Sequence, residues 1–106
     1  MLPPIELDKT IDFLVNLLNI PSPTGDTDRA MAFIQEQFAH LPFEMTMTPK
    51  GVLVGTWSGK SADKPRALTA HTDTLGAMVM KIKGNGRLQF TNLGCLLYTS
   101  PSPRDA

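Results

Sequence analysis

A chain of 106 residues carries ten basic and ten acidic side chains, 42% hydrophobic residues and one cysteine. That length suits one small domain or part of a larger one. The charge balance argues against a partner held mainly by electrostatics, so neither nucleic acid nor a membrane surface is expected. No apolar run approaches the ~20 residues that span a bilayer. Met1-Leu2-Pro3-Pro4-Ile5-Glu6 lacks the basic-then-apolar order of a signal peptide. The single Cys excludes an internal disulfide framework and fits a reducing compartment, so a cytoplasmic location is expected.

The first helix is predicted from about Asp8 to Asn19. Ile11, Leu14, Val15 and Leu18 recur at helical spacing, with Phe13 and Leu17 widening the stripe. Asp8 is read as its N-cap, and Pro21 and Pro23 stop it. Ile20-Pro21-Ser22-Pro23-Thr24-Gly25 is a rigid connector closed by a glycine. Asp26 or Thr27 then caps a second helix. Ala30, Ile34 and Phe38 share one of its faces, and His40 falls in its last turn, where a cation suits the helix dipole.

Strand signals follow. Phe43, Met45 and Met47 alternate with Glu44, Thr46 and Thr48. Pro49-Lys50-Gly51 is a turn, and Val52 to Trp57 completes a hairpin. Trp57 reads as a packing residue before a ligand-stacking one. After a polar loop, Arg66 to Ala70 is predicted as a more central, buried strand. Met78–Lys83 and Arg87–Thr91 flank Gly84-Asn85-Gly86 and form a second predicted hairpin. Its Met78 and Met80 read as core filler.

His71-Thr72-Asp73 stands at the C-terminal end of the predicted central strand, where ligands and catalytic groups gather in α/β sheets. A metal-binding His usually donates its second ring N–H to a carboxylate or carbonyl, and that bond fixes the tautomer. His-x-Asp supplies both partners. With two His and seven Asp in the chain the triplet arises readily by chance, so its weight comes from context.

The tail from Cys95 to Asp105 breaks the pattern. It has the composition of a Ser/Pro-rich terminus. One codon string that encodes it also looks like the transposon-end adapter used in sequencing libraries. Residues 95–106 are therefore expected not to be native, Gly94 is expected to be genuine, and the natural protein is expected to continue beyond it. A half-domain of this kind would leave strand edges and apolar faces uncovered, and its stability is expected to be low.

Taken in order, these motifs resemble metallopeptidase family forty-two, the glutamyl and tetrahedral aminopeptidases. The resemblance runs from the first helix through Ile20-Pro21-Ser22-Pro23-Thr24-Gly25, Asp26 and Asp28, the Lys50-Gly51 turn and Ala70-His71-Thr72-Asp73. It continues through Leu75-Gly76-Ala77-Met78-Val79 to Thr91-Asn92-Leu93-Gly94. The segment from His71 to Val79 is its most specific part. Leu75-Gly76 stands where the related carboxypeptidases and dipeptidases usually have Val-Pro. Thr74 departs from the Glu that many members carry directly after the motif Asp, which bears on the subgroup.

The resemblance implies an α/β fold. Residues 1–74 would be the N-terminal part of a phosphorylase/hydrolase-like αβα catalytic domain. Residues 75–94 would begin an inserted β-rich dimerisation domain. It implies an aminopeptidase that removes N-terminal residues from short peptides with two divalent metal ions, zinc or cobalt. His71 would be a metal ligand, and Asp73 the carboxylate that orients it. The full-length protein would be a homo-oligomer, its dimers assembling into a dodecamer. The family's general base, bridging Asp and remaining ligands lie downstream, and a catalytic zinc needs about three protein ligands. This chain alone is therefore expected to be inactive. The alternatives are a related di-metal carboxypeptidase or deacylase, and a non-catalytic interaction domain with a fortuitous His-x-Asp.

Overall fold

The computed structural model describes residues 2–94. It contains two helices, α1 (Leu7–Leu18) and α2 (Asp28–Gln37), and four strands, β1 (Glu44–Met47), β2 (Leu53–Thr56), β3 (Gly76–Ile82) and β4 (Leu88–Leu93). The strands form two separate antiparallel pairs, β1 with β2 and β3 with β4. The chain is thus a mixed α/β arrangement, as expected at that level. The tail at 95–106 lies outside the described residues.

The predicted helices form with shifted ends. Glu6, in an extended conformation, is the N-cap of α1, and Asp8 sits inside the first turn. The cause is local. The Glu6 carbonyl accepts both the backbone N–H and the hydroxyl of Thr10, each at 3.1 Å, so the helix begins two residues earlier than the Asp8 cap requires. An aspartate in a first turn still complements the helix dipole. Helix α2 is capped at Thr27 and ends at Gln37. His40 therefore lies in the turn beyond the helix, exposed, and not in its last turn.

Both predicted hairpins form, and they use one turn design. Glu44 pairs with Thr56 and Met47 with Leu53. The loop closes through Thr48 N–H to Val52 C=O and Gly51 N–H to Thr48 C=O, both 2.9 Å. In the second hairpin, Lys83 N–H donates to Arg87 C=O at 2.8 Å and Gly86 N–H to Lys83 C=O at 2.9 Å. Each is a three-residue loop ending in a left-handed glycine, the pattern of a type I turn followed by a bulge. Between Val79 and Lys81 the β3–β4 register shifts, so Met80 is the extra residue of a bulge.

A row of rings ties the helices to the first hairpin. Phe13 on α1 stacks on Phe33 of α2 and on Phe38, the residue that caps the end of α2, at 5.7 and 5.9 Å between centroids. Phe38 meets Phe43 at 6.3 Å, and Phe43 meets Trp57 edge-to-face at 5.3 Å. Trp57 thus packs on the hairpin, as expected, although it remains 63% exposed.

The core is where expectation and structure part. Ala30 is the one buried hydrophobic residue among those described, and Ser22 the one buried polar residue. The α1 stripe of Ile11, Leu14, Val15 and Leu18 is exposed, and so are Met78 and Met80, which were expected to fill a core. Arg66 to Ala70 is not a buried strand. Its residues are exposed, Leu68 to 100%, and it pairs with no strand among the described residues. A β-strand is defined by bonds to its neighbours, because each residue has an N–H and a C=O to satisfy outside the strand itself. The apolar sequence of 66–70 is suited to such neighbours, and the described chain offers none. The expected uncovered apolar faces are thus present.

Candidate metal-ligand site and its clasp

The His-Thr-Asp motif is held by the connector that follows α1. Pro23 and Thr74 form a parallel bridge, in which Thr74 N–H donates to Ser22 C=O at 2.8 Å. The Thr74 hydroxyl donates to the same carbonyl at 3.3 Å. Next to that bridge, the Thr24 hydroxyl donates to Asp73 Oδ2 at 2.9 Å. Asp73 Oδ1 lies 2.8 Å from His71 Nδ1. On the other side, the Thr72 hydroxyl meets Met31 Sδ of α2 at 3.5 Å. Every residue from His71 to Thr74 therefore has a side-chain partner.

Local sequence explains why the connector can do this. Pro21 and Pro23 fix their own φ angles. Asp26 N–H closes a turn onto Pro23 C=O at 2.8 Å, with Gly25 at φ +92°. A positive φ at the third position is the signature of a type II turn and favours glycine. Thr24 is the second residue of that turn, so it is held outward toward Asp73. Gly76 has a different reason. A Cβ there would come within 3.0 Å of Pro23 Cβ, so the bare backbone lets the connector lie close to the start of β3.

The electrostatics follow from these bonds. The Thr24 hydroxyl, then the His71 ring, hold the Asp73 carboxyl below its ordinary value of 3.8, against a smaller opposing effect of burial. An ionised carboxylate accepts hydrogen bonds and donates none. The 2.8 Å contact with Asp73 Oδ1 therefore puts the ring proton of neutral His71 on Nδ1 and leaves the Nε2 lone pair free. The His71 side chain is 84% exposed and that of Asp73 41%, so Nε2 is accessible.

This arrangement fits one ligand of a metal centre, an imidazole nitrogen backed by a carboxylate. It is not a whole centre. Among the described residues, no three His, Cys, Asp or Glu side chains converge, and a catalytic zinc needs about three protein ligands. His40 is not part of the cluster. The motif borders an open cleft of about 880 Å³, whose walls include Phe13, Leu17, Ile34 and Phe38. These are residues whose spacing marks them for a core, so the cleft is an uncovered apolar interior before it is a pocket. No helix among the described residues is long and apolar enough to cross a membrane.

The sequence pairs His71 with Asp73, and the structure brings the two side chains into contact; Ser22, Thr24 and Thr74, which support them, carry no such local signal. The Pro-Thr-Gly turn was readable, but its docking partner lies 49 residues away, and no local pattern announces such a pairing.

Comparison with known proteins points to one family. The family model for the M42 glutamyl aminopeptidases matches residues 51–101. That interval takes in β2, the His71–Asp73 motif and the β3–β4 hairpin, and it overlaps the tail at 95–101. The chain is also 40% identical over 92 residues to a Bacillus subtilis (strain 168) protein named "Putative aminopeptidase YhfE", an alignment covering 87% of this chain. The chain spans only 27% of that relative's length. With the motif, its flanks and both matches in agreement, the chain belongs to the M42 glutamyl aminopeptidase family.

Proposed function

We propose that this chain is the part of a metallo-aminopeptidase that supplies one metal ligand, His71 through Nε2, together with the carboxylate that orients it, Asp73. The observation that carries the reading is the His71–Asp73–Thr24 array, which leaves one imidazole nitrogen free and fixes the other. The chemistry that divalent ions, zinc or cobalt, would supply there is activation of a water and polarisation of the scissile carbonyl. His71 binds, Asp73 holds the ring proton on Nδ1, and Thr24 steadies Asp73. The remaining ligands and the general base belong to sequence beyond Gly94.

In this reading residues 1–74 belong to an αβα catalytic domain. Arg66–Ala70 becomes a central strand once neighbouring strands flank it, which accounts for its apolar sequence and its present exposure. Residues 75–94 begin an inserted dimerisation domain. Its first hairpin, β3–β4, exposes Met78, Val79 and Phe90, as befits a surface awaiting cover. The whole protein would act in the cytoplasm on short peptides as a homo-oligomer, its dimers building a dodecamer.

The test is metal content in a completed protein, made by joining residues 1–94 to the rest of the gene. His71→Ala is expected to remove one metal equivalent per chain and most peptide-anilide turnover. Unchanged metal content would instead favour an interaction domain with a fortuitous His-x-Asp.

A further inference from the structure

We propose that Thr24 is a positioning residue for the His71 imidazole, acting through Asp73. Its hydroxyl anchors the carboxylate so that the ring keeps its proton on Nδ1 and presents Nε2. The catalytic meaning of this role rests on the metal-ligand reading above, whereas the tautomer is a property of the metal-free chain.

An aspartate at the surface with no second partner is free to turn. Its terminal torsion is broad and roughly two-fold, so either oxygen can face the ring or neither. One contact to His71 does not select an orientation, because ring and carboxylate can swing together into solvent. In this chain the second oxygen is occupied. Thr24 Oγ1–H donates to Oδ2 at 2.9 Å while Oδ1 receives His71 Nδ1–H at 2.8 Å. Two bonds to two different oxygens define the carboxylate plane, and that plane aims the imidazole.

An anchor is useful only if it is itself fixed. Thr24 sits between two backbone closures, Thr74 N–H to Ser22 C=O and Asp26 N–H to Pro23 C=O, both 2.8 Å. Its neighbours are a proline with fixed φ and a glycine at φ +92°. A serine at position 24 keeps the donor. A valine keeps the β-branched shape and loses it, which makes the hydroxyl testable apart from the packing.

The experiment reads imidazole nitrogens in the ¹⁵N-labelled 106-residue chain, with metal removed by chelation, at about pH 8, where an ordinary imidazole is neutral. The chain has two His residues, so His40 serves as a reference in the same spectrum. In the unsubstituted chain His71 is expected to be mainly the Nδ1–H tautomer and His40 not. Thr24→Val is expected to abolish that majority at His71 while leaving His40 and the Thr74 amide unmoved. Thr24→Ser is expected to retain it. Thr24→Ala, which removes the hydroxyl with less bulk, is read in the same way if the valine disturbs the Thr74 amide. An Nδ1–H majority that survives both Thr24→Val and Thr24→Ala overturns the proposal, as does an unsubstituted chain in which His71 matches His40. The metal reading fails separately. If the tautomer follows Thr24 but His71→Ala costs the completed protein no metal, Thr24 positions the ring and the ring is not a ligand.

Discussion

Residues 66–70 and 71–74 are consecutive in sequence, yet the structure treats them oppositely. The first segment is mostly apolar and exposed, and pairs with no strand among the described residues. The second is polar, and each of its side chains has a partner from the connector, from α2 or from within the motif. The difference lies in where the partners come from. A central strand needs neighbours on both edges and cover on both faces. The motif needs only a short, stiff peptide carrying hydroxyls and carbonyls, and residues 22–24 supply one. The motif is thus held by local contacts, while residues 66–70 pair with no strand among the described residues.

The largest effect expected on this contrast comes from the ring row that holds α2 in place. Phe38 touches both Phe13 and Phe43. Each aromatic pair contributes on the order of 1 kcal/mol beyond its burial. Because the ring is only half-buried, Phe38→Ala is expected to cost about 2 kcal/mol, less than for a fully buried Phe. Thermal melts followed by near-ultraviolet circular dichroism measure this. The clasp should loosen with α2, while 66–70, already unpaired, stays as it is.

Acid should open the clasp next. The folded Asp73 carboxyl lies below its ordinary value of 3.8. A depressed carboxyl contributes stability that is fully present above the unfolded value and lost as pH falls through the folded one. The His71–Asp73–Thr24 bonds should therefore be fully intact above about pH 4 and lost only further down, as pH falls through the lowered folded value. Asp73→Asn should remove this acid-induced step. A step of the same size in that variant, followed by the Thr24 and His71 resonances, would show that other groups drive it.

The smallest effect is expected at Leu68. Its side chain is wholly exposed, so Leu68→Ser should change the stability of this chain by no more than about 0.5 kcal/mol in either direction. In a completed protein, where this segment is proposed to be a central strand, the same substitution should be severely destabilising. Equal effects in the two settings would remove the reason for treating 66–70 as an unfinished strand.

Much of this was legible from residues alone. The 3.6-residue stripes gave both helices, and alternation around Lys50-Gly51 and Asn85-Gly86 gave both hairpins, because these signals are local. His71 and Asp73 were legible because ring and carboxylate are two residues apart. The Asp8 cap was misread because Thr10 bonds back to Glu6 and starts the helix sooner. The strand at 66–70 was misread because pattern reports what a segment suits and says nothing of whether its neighbours are there. Thr24 was invisible because its partner is remote in sequence. Ser22, whose carbonyl receives both Thr74 donors, was hidden for the same reason.

Amide hydrogen exchange in the metal-free chain tests the contrast most directly, by comparing two backbone N–H groups six residues apart. Thr74 N–H is bonded to Ser22 C=O at 2.8 Å, whereas Leu68 lies in the exposed, unpaired segment. Measurable protection at Thr74 with none at Leu68 is the result expected of a locally clasped motif beside an unpaired segment. Equal rates at the two positions would contradict it.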